Sequence, residues 1–352
     1  MDHRARHGLE DYLTDRLGGQ ATIRQLSRPS ANGFSADTYI LEVEVEQPRA
    51  VGPSDSGVEH LVVQAAPRTT GLFAHYDLGR SFRVQQALTP FAVPVAGMRW
   101  LCEDLSRLGV PFYVMDFVPG QIPPDRPPYH VEGWMYDRPG ATRRAIWLAG
   151  IDAIGALHRV PIERFAFLAE GEQADPAGQR LDRWHRFGVE LGADIDPALL
   201  AALERLDERR PAPGELRVHW GDAKLGNMIF GPDRVAAILD WELTGLSVGE
   251  EDLAHWMAVD WFLSTGIGHQ RLDGLPGPGE TIERYESVVD RPTDSVEWWF
   301  IFALVRMGLI FQRAAVQSRL RRGGGGSLRA NAIVPHLDAL LGGTTWAEYG
   351  GA

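Results

Sequence analysis

Lysine and cysteine each occur once among the 352 residues of the chain. A lone cysteine, Cys102, excludes an internal disulfide, and the charged start MDHRARHGLEDYL lacks the apolar core of a signal peptide. These two features predict a cytoplasmic protein. The lone lysine, Lys224, stands out because arginine carries the rest of the basic charge.

Positive charge as a whole is scarce. Lysine and arginine total 35 against 47 aspartates and glutamates, which gives a formal net charge of -12. This balance argues against a general binder of nucleic acid or of an anionic membrane surface. A cationic or neutral small molecule is the partner that the charge favours.

Long apolar runs are missing too. The longest one that matters, residues 298–305, has eight residues between Glu297 and Arg306, whereas a membrane span needs about 20. It predicts a buried helix and no association with a membrane. The 352 residues nevertheless exceed the roughly 250–300 at which one hydrophobic core stops growing, so we expect two lobes.

The first third of the chain is rich in strand signals. Residues 39–46 alternate strictly, with three aliphatic residues on one face and three glutamates on the other, as in a half-buried strand. Residues 60–66 form a second apolar run, and the two runs predict an antiparallel hairpin. Residues 74–88 suit a helix, and residues 111–118 suit another strand.

Helical spacing takes over from residue 141 onward. Apolar residues recur at three-residue steps along residues 148–157, and residues 296–312 predict a second, strongly apolar helix. The change of pattern predicts an N-terminal lobe of residues 1–118 and a C-terminal lobe of residues 119–352.

The single lysine lies in the stretch RVHWGDAKLGNMIF, residues 217–230. Its last three residues and residues 235–239 are short apolar runs on either side of a Gly-Pro-Asp turn, which predicts a hairpin. The hairpin would bring Asn227 and Asp240 to one edge. Two oxygen ligands at that edge suit Mg²⁺, which leaves its other positions to water and phosphate.

The loop before the hairpin carries residues suited to a transfer reaction. Asp222 can accept a proton from a substrate hydroxyl or orient that hydroxyl, and Lys224 can place a point charge against a γ-phosphoryl group. The order Asp-x-Lys-x-x-Asn is that of a protein-kinase catalytic loop. The stretch therefore predicts phosphoryl transfer.

The segments HWGDAKLGNMIF and AAILDWELTGLSVGEEDLA resemble the aminoglycoside phosphotransferase and choline kinase-like family of small-molecule kinases. The HGD-x4-N, DWE and DLA motifs of that family match, with Trp220 as one extra residue between histidine and Gly-Asp. The matching positions are His219, Asp222, Asn227, residues 240–242 and residues 252–254.

The resemblance implies an α+β, bilobal protein-kinase-like fold, with a small β-rich N-lobe that binds nucleotide and a larger, mainly helical C-lobe for catalysis and substrate binding. It implies transfer of the γ-phosphoryl group of ATP, with GTP as the alternative, to a hydroxyl of a small molecule. Asp222 would be the base, and Mg²⁺ would lie on Asn227 and Asp240. The implied nucleotide contacts are Met115, Asp116 and Phe117 at the adenine and Gly33 and Ser35 over the phosphates.

The sequence departs from that family at the phosphate clamp. Kinases of this fold hold the α and β phosphates with a strand lysine paired to a helix glutamate. The second predicted strand offers Gln64, Ala65 and Ala66, and the helix position aligned with the glutamate is Ser81. The candidates for replacing this pair are Arg68, Arg80 and Arg83, although a guanidinium differs from an ammonium in shape and reach.

The acceptor is expected to bind near the tryptophan-rich part of the C-lobe, where a cationic or partly apolar molecule could be held. The candidate acceptor residues are Glu242, Trp256, Trp261 and Arg306. Core packing is the alternative for the tryptophans, and an internal ion pair is the alternative for Arg306. His158 and His219 are expected to be structural residues.

Two other functions fit parts of the sequence. The motif G-x-S-x-G would make Ser247 the nucleophile of a serine hydrolase, with His269 or His336 as a partner. Its strand context is poor, because the preceding apolar run ends at Leu239. Alternatively, the missing clamp residues suit a kinase-fold protein that binds a nucleotide or metabolite with weak or no catalysis.

Overall fold

The structure is a computed structural model. It describes residues 3–29, 37–46, 57–67, 72, 77–169, 175–232, 234–322 and 330–351. The chain divides into two compact units. The first comprises Met1–Thr89 and Val95–Pro119, and the second comprises Pro90–Pro94 and Gly120–Ala352. The predicted division after residue 118 lies next to this boundary, and the functions assigned to the two lobes stay predictions.

The first unit has five strands and three helices among its described residues. The strands are β1 (Gln20–Ser27), β2 (Asp37–Glu46), β3 (Val58–Ala65), β4 (Met98–Cys102) and β5 (Phe112–Asp116), and the helices are α1 (His3–Leu17), α2 (Leu78–Leu88) and α3 (Leu105–Leu108). The strands form one antiparallel sheet in the order β1–β2–β3–β5–β4.

Alternation along β2 decides which of its side chains are buried. Leu41, Val43 and Val45 are at most 5% exposed and belong to a core that also contains the apolar face of α1. The register pairs Leu41 with Leu61 of β3, which confirms the predicted hairpin. On the other face of the sheet, Phe82 of α2 packs in a second cluster.

The second unit is mainly helical. Its described α-helices are α4 (Gly140–His158), α5 (Pro176–Val189), α6 (Pro197–Asp207), α7 (Gly249–Leu263), α8 (Pro278–Val289), α9 (Val296–Arg321), α10 (Leu337–Leu341) and α11 (Thr344–Tyr349). Two antiparallel strand pairs accompany them: β6 (Leu216–His219) with β9 (Gly245–Val248), and β7 (Met228–Phe230) with β8 (Val235–Ile238).

Helix α9 runs through the interior of the second unit. Its apolar start confirms the predicted buried helix, but the helix continues to Arg321 rather than ending at Gln312. Among the described residues it is the one helix that is by itself long and apolar enough to cross a membrane, and 72% of its most apolar window is buried inside the protein. Phe300 of α9 contacts Trp261 of α7, with ring centroids 6.4 Å apart.

The strand pairs frame the stretch that carries Lys224. Strand β6 ends at His219, directly before the loop, and β7 and β8 form the predicted hairpin, whose turn residue Asp233 lies outside the described residues. The amide of Leu239 donates to the carbonyl of Asn227 at 2.8 Å. The end of β8 is thereby fixed beside the start of β7.

Candidate active site

The backbone of the loop after β6 is held by a buried carboxylate. Asp252, near the start of α7, accepts hydrogen bonds from the amides of Trp220 at 2.6 Å and Gly221 at 2.8 Å. Its Oδ2 also lies 3.0 Å from Nε2 of His158. Burial raises the pKa of Asp252, but the neighbouring His219 and His158 and the Gly221 amide outweigh burial and lower it to about 2. The loop is therefore anchored to an ionised side chain.

Gly221 makes the turn that leads to Asp222. Its φ of 98° is in the left-handed region that favours glycine, and a Cβ here would lie 2.5 Å from the carbonyl oxygen of Leu243. The carbonyl of Gly221 accepts a hydrogen bond from Arg306 at 2.9 Å. Arg306 is 3% exposed and lies 3.5 Å from Glu251. It has the internal ion pair that the sequence offered as the alternative to acceptor binding.

Asp222 is held on both of its carboxylate oxygens. Asn227 Nδ2 donates to Oδ2 at 2.7 Å, and Nε2 of His255 lies 3.0 Å from Oδ1. Burial raises the pKa of Asp222, but Lys224 and His255 outweigh it and hold the pKa well below its usual range. Asp222 is therefore ionised and fixed in orientation.

His255, on α7, is the neutral partner of this carboxylate. Burial and the charge of Arg306 lower the pKa of His255 to about 4, although Asp222 opposes the shift. Its Nδ1 is buried without a hydrogen-bond partner among the described residues, so the ring proton belongs on Nε2, facing Asp222. His255 was not predicted from the sequence. Its spacing from Asp252 places both on one face of α7, which is the signal that could have found it.

Lys224 is held between two carboxylates. Its Nζ lies 3.1 Å from Asp125 Oδ2 and 3.5 Å from Asp222 Oδ2, and its side chain is 24% exposed. Burial lowers the pKa of Lys224, but Asp222 and Asp125 outweigh it and raise the pKa above its usual range. The lysine is a fixed cation. Asp125 was not predicted, because nothing in its proline-rich segment marks it.

The predicted metal residues lie at the end of the hairpin. Asp240 follows β8 with a φ of 58°, in the left-handed region. Burial and the charge of Asp222 raise its pKa to about 6, partly offset by Lys224. Asn227 uses its amide nitrogen on Asp222, so its amide oxygen is the atom left for a ligand.

This donor set fits a divalent cation. Asp240 and Asp222 are close enough for one charge to raise the pKa of the other carboxyl, and a cation between nucleotide and protein would supply the countercharge that they lack. No group of three or more acidic, histidine or cysteine residues in the described part of the chain is arranged to hold a metal by itself. Mg²⁺ does not need one, since it binds through one or two carboxylates and substrate phosphates.

The predicted nucleotide contacts lie in the first unit. Gly33 and Ser35 fall outside the described residues. The amides of Asp116 and Phe117 donate to the carbonyls of Gly97 at 2.8 Å and His60 at 3.1 Å. These two donors are already used, so an adenine at residues 115–117, where Met115 is 8% exposed, would need other backbone groups.

A neutral link stands where the family has its lysine–glutamate pair. The hydroxyl of Tyr113 on β5 donates to Gln64 on β3 and lies 3.3 Å from the amide nitrogen of Gln85 on α2. The helix residue in this link is therefore one turn beyond Ser81, the residue predicted to take the glutamate position. Among the proposed arginines, Arg80 and Arg83 lie on α2, and Arg68 is outside the described residues.

The two candidate acceptor tryptophans are core residues in the structure. Trp256 is 1% exposed and contacts Trp147 with ring centroids 5.2 Å apart. Trp261 is 3% exposed and packs on Phe300. Glu242 is half-buried and follows the β7–β8 hairpin by four residues. Burial leaves these two tryptophans no surface for contact with an acceptor.

His158, His219 and Ser247 carry reactive groups, but each has a structural role. His219 Nε2 lies 3.3 Å from both Glu251 and Asp252, and His158 contacts Asp252, so the predicted structural roles are confirmed. Ser247 is fully buried inside β9, and its hydroxyl donates to Glu251 at 2.5 Å. A hydrolase nucleophile must be exposed on a sharp turn, so the serine hydrolase hypothesis is wrong.

The family model of the phosphotransferase enzyme family matches residues 28–283. Among curated proteins, the chain is 27% identical to acyl-CoA dehydrogenase family member 10 of Mus musculus over 316 residues, which cover 86% of the chain and 28% of that protein. It is 27% identical to acyl-CoA dehydrogenase family member 11 of Homo sapiens, with 95% of the chain and 42% of that protein covered. The chain spans less than half the length of both relatives.

Solved structures of phosphotransferases share the fold. A candidate aminoglycoside phosphotransferase from Ralstonia eutropha has a TM-score of 0.68 and 25% identity, with 97% of both chains covered. An aminoglycoside phosphotransferase in complex with AMP-PNP and hygromycin B has a TM-score of 0.58 at 12% identity, with 97% of this chain and 99% of that chain covered. The choline kinase of Cryptosporidium parvum has a TM-score of 0.56 at 11% identity, with 92% and 88% covered. The chain therefore belongs to the phosphotransferase enzyme family and has its bilobal, protein-kinase-like fold.

Proposed function

We propose that this protein is a small-molecule kinase that moves the γ-phosphoryl group of ATP to a hydroxyl of its acceptor. The observation that carries the proposal is the setting of Asp222, which is ionised, held on both oxygens and 3.5 Å from the only lysine of the chain. An oriented carboxylate next to a fixed cation and a metal position is the set of parts that phosphoryl transfer uses.

Asp222 acts mainly by orienting the acceptor hydroxyl. The pKa of Asp222 is too low for it to remove the hydroxyl proton before the bond to phosphorus forms. A loose transition state requires little proton transfer at that stage. As the acceptor oxygen bonds to phosphorus and the bond to the ADP oxygen breaks, the hydroxyl proton passes to Asp222. Asn227 and His255 keep the carboxylate aimed during this step.

Positive charge at the transferring group comes from two sources. Lys224 supplies a fixed ammonium within the loop, and charge placed where charge develops lowers the barrier without reorganisation. Asn227 and Asp240 would hold Mg²⁺, which neutralises the phosphate oxygens when it is bound. The complex of a fold relative with an ATP analogue supports ATP as the donor, and GTP is the alternative.

The acceptor is a hydroxyl compound of low molecular weight. The net charge of -12 favours a neutral or cationic one over an anion. Structural relatives are named for choline and for complexes with hygromycin B, and the longer curated relatives are named acyl-CoA dehydrogenases. Amino alcohols, aminoglycosides, sugars and hydroxyacyl compounds are therefore the four classes to compare.

An acceptor screen with coupled detection of ADP tests the proposal. With Mg²⁺ and ATP, we expect ADP release that depends on one acceptor class, and Asp222→Asn should lower kcat by about 10²- to 10⁴-fold. Asp207→Asn is the matched control, because it removes an aspartate that is 57% exposed and pairs with Arg210. If Asp222→Asn kept the full acceptor-dependent rate, the proposed role of Asp222 would be wrong.

A second function is favoured by one observation, the neutral link of Gln64, Tyr113 and Gln85 in place of a charged phosphate clamp. A protein without that clamp could bind nucleotide without turning it over. Calorimetric titration with ATP and Mg²⁺ separates the two functions. Binding of ATP with no ADP release for any of the four acceptor classes would favour the binding protein.

A further inference from the structure

We propose that Asp125 is a positioning residue of the phosphotransfer site, which holds Lys224 beside Asp222 and keeps it from pairing with Asp222 alone. The inference rests on the proposed function. Lys224 Nζ is closer to Asp125 Oδ2, at 3.1 Å, than to Asp222 Oδ2, at 3.5 Å.

The segment that carries Asp125 is fixed to the catalytic hairpin. Gln121 and Phe230 exchange two backbone hydrogen bonds, at 2.9 and 2.8 Å, which add the segment to the edge of β7. Further along the segment, the hydroxyl of Tyr129 donates to the buried Asp260 on α7 at 2.7 Å. Asp125 lies between these two anchors, so its position relative to the loop is set by the fold.

The carboxyl group of Asp125 is packed against a glycine of the same loop. A Cβ at residue 226 would lie 2.5 Å from Asp125 Oδ1 and 2.8 Å from Cγ. Oδ1 is buried with no hydrogen-bond partner among the described residues. The carboxyl thus occupies the space that a side chain of Gly226 would take, and its other oxygen is turned to Lys224.

In this arrangement Asp125 holds the ammonium of Lys224, and Asp222 orients the acceptor hydroxyl. The lysine chain is flexible, and a lysine with one anionic neighbour would pair with that neighbour. With Asp125 present, the ammonium is shared, and a lone pair of the Asp222 carboxylate stays available to the acceptor hydroxyl. Without the charge of Asp125, Lys224 would compete with the acceptor for Asp222, and the rate of transfer would fall.

A double-mutant cycle tests the inference through activity. Asp125→Asn should lower kcat about 10-fold when Lys224 is present and change it less than about 2-fold in the background of Lys224→Met, because the effect acts through the lysine. Asp152→Asn, which removes a 41% exposed aspartate paired with Arg284, should leave kcat unchanged. An equal loss from Asp125→Asn in both backgrounds, or no loss in either, would overturn the inference.

Chemical labelling tests it without activity. Lys224 is the only lysine, so an amine-acylating reagent has one side-chain target, and the N-terminal amine serves as an internal reference when peptides are quantified by mass spectrometry. Asp125→Asn should raise the labelling rate of Lys224 about 3- to 10-fold. Removing the negative charge lowers the pKa of the lysine by up to about one unit and so increases the fraction of reactive, neutral amine. An unchanged rate would overturn the inference. The proposed function fails separately, if no acceptor supports ADP release.

Discussion

The indole N–H of Trp220 donates to the backbone at Asp240, on the far side of the hairpin. Its Nε1 lies 2.9 Å from the carbonyl oxygen of Leu239 and 3.2 Å from that of Asp240, and the tryptophan is fully buried. Trp220 is the extra residue within the H-G-D motif. It therefore links the loop of Asp222 directly to the residue proposed to hold the metal.

Replacing Trp220 by phenylalanine should weaken both stability and transfer. Trp220→Phe removes the N–H that the carbonyl groups of Leu239 and Asp240 accept and shrinks a fully buried side chain. We therefore expect a loss of about 2 kcal/mol in the free energy of unfolding and a lower kcat, measured by urea denaturation and ADP release. Trp298→Phe is the control, because its indole donates to Leu206 at 3.0 Å in another part of the helical unit. Equal effects of both variants on kcat would contradict a role for Trp220 in the site.

Replacing Asp240 by asparagine should raise the Mg²⁺ requirement. Asparagine tolerates the left-handed backbone at a φ of 58°, so Asp240→Asn changes the charge of the ligand and little else. We expect the Mg²⁺ concentration for half-maximal activity to rise roughly 10-fold or more. Asp290→Asn is the matched control, because Asp290 has a φ of 56° at the end of α8. An unchanged Mg²⁺ dependence would show that Asp240 is not a ligand.

The pH dependence of folding should contain a step from His255. Its pKa is lowered to about 4 in the folded protein, against about 6.5 in an unfolded chain. Between these values the unfolded chain binds more protons, so stability is highest above about pH 6.5 and falls as the pH drops toward 4. The expected loss is on the order of 3 kcal/mol.

Urea denaturation between pH 7 and pH 4 measures this step. His255→Gln should flatten the slope across that range, and it keeps a donor for Asp222. His269→Gln, at an exposed position, is expected to leave the slope as it is. A wild-type slope in His255→Gln would assign the step to another group. The buried carboxylate of Asp252 acts in a lower range, because its stabilisation is lost as the pH falls below about 4 toward 2.

Adding a methyl group at Gly226 should disturb the site through Asp125. Gly226→Ala would place a Cβ 2.5 Å from Asp125 Oδ1, so we expect a loss of about 1–3 kcal/mol in stability and a fall in kcat. The stability cost should shrink in the background of Asp125→Ala, which vacates the space. Gly277→Ala is the control, since a Cβ there would have no neighbour within 4 Å. An equal cost of Gly226→Ala in both backgrounds would contradict the contact.

Local patterns predicted a strand of the first unit and the hairpin that carries the site. The alternation of residues 39–46 is sufficient for a strand, and the Gly-Pro-Asp turn is sufficient for the β7–β8 hairpin. The hairpin in turn places Asn227 beside the end of β8 without any knowledge of the rest of the fold. Features that depend only on residues close together in the sequence could therefore be predicted.

Contacts between segments that are distant in the sequence could not be predicted. Asp125 meets Lys224 because its segment is fixed by the backbone bridge between Gln121 and Phe230 and by the hydrogen bond from Tyr129. No spacing rule predicts such contacts. Trp256 and Trp261 of α7 were predicted to contact the acceptor for a related reason. This helix is buried on nearly all sides, so its sequence has no polar face from which the side toward a pocket could be predicted. Strand β5 lies inside the sheet, which is why the amides of Asp116 and Phe117 are used.

The contact between Asp125 and Gly226 also bears on how such a site can evolve. The carboxyl group of Asp125 occupies the space beside Gly226, so a larger residue at 226 requires that this carboxyl group move or that residue 125 become smaller. Related chains are expected to change the two positions together, and a chain that has lost both would also be free to lose its lysine. Covariation between these positions and residue 224 would then mark which lineages inherited this way of holding a cation.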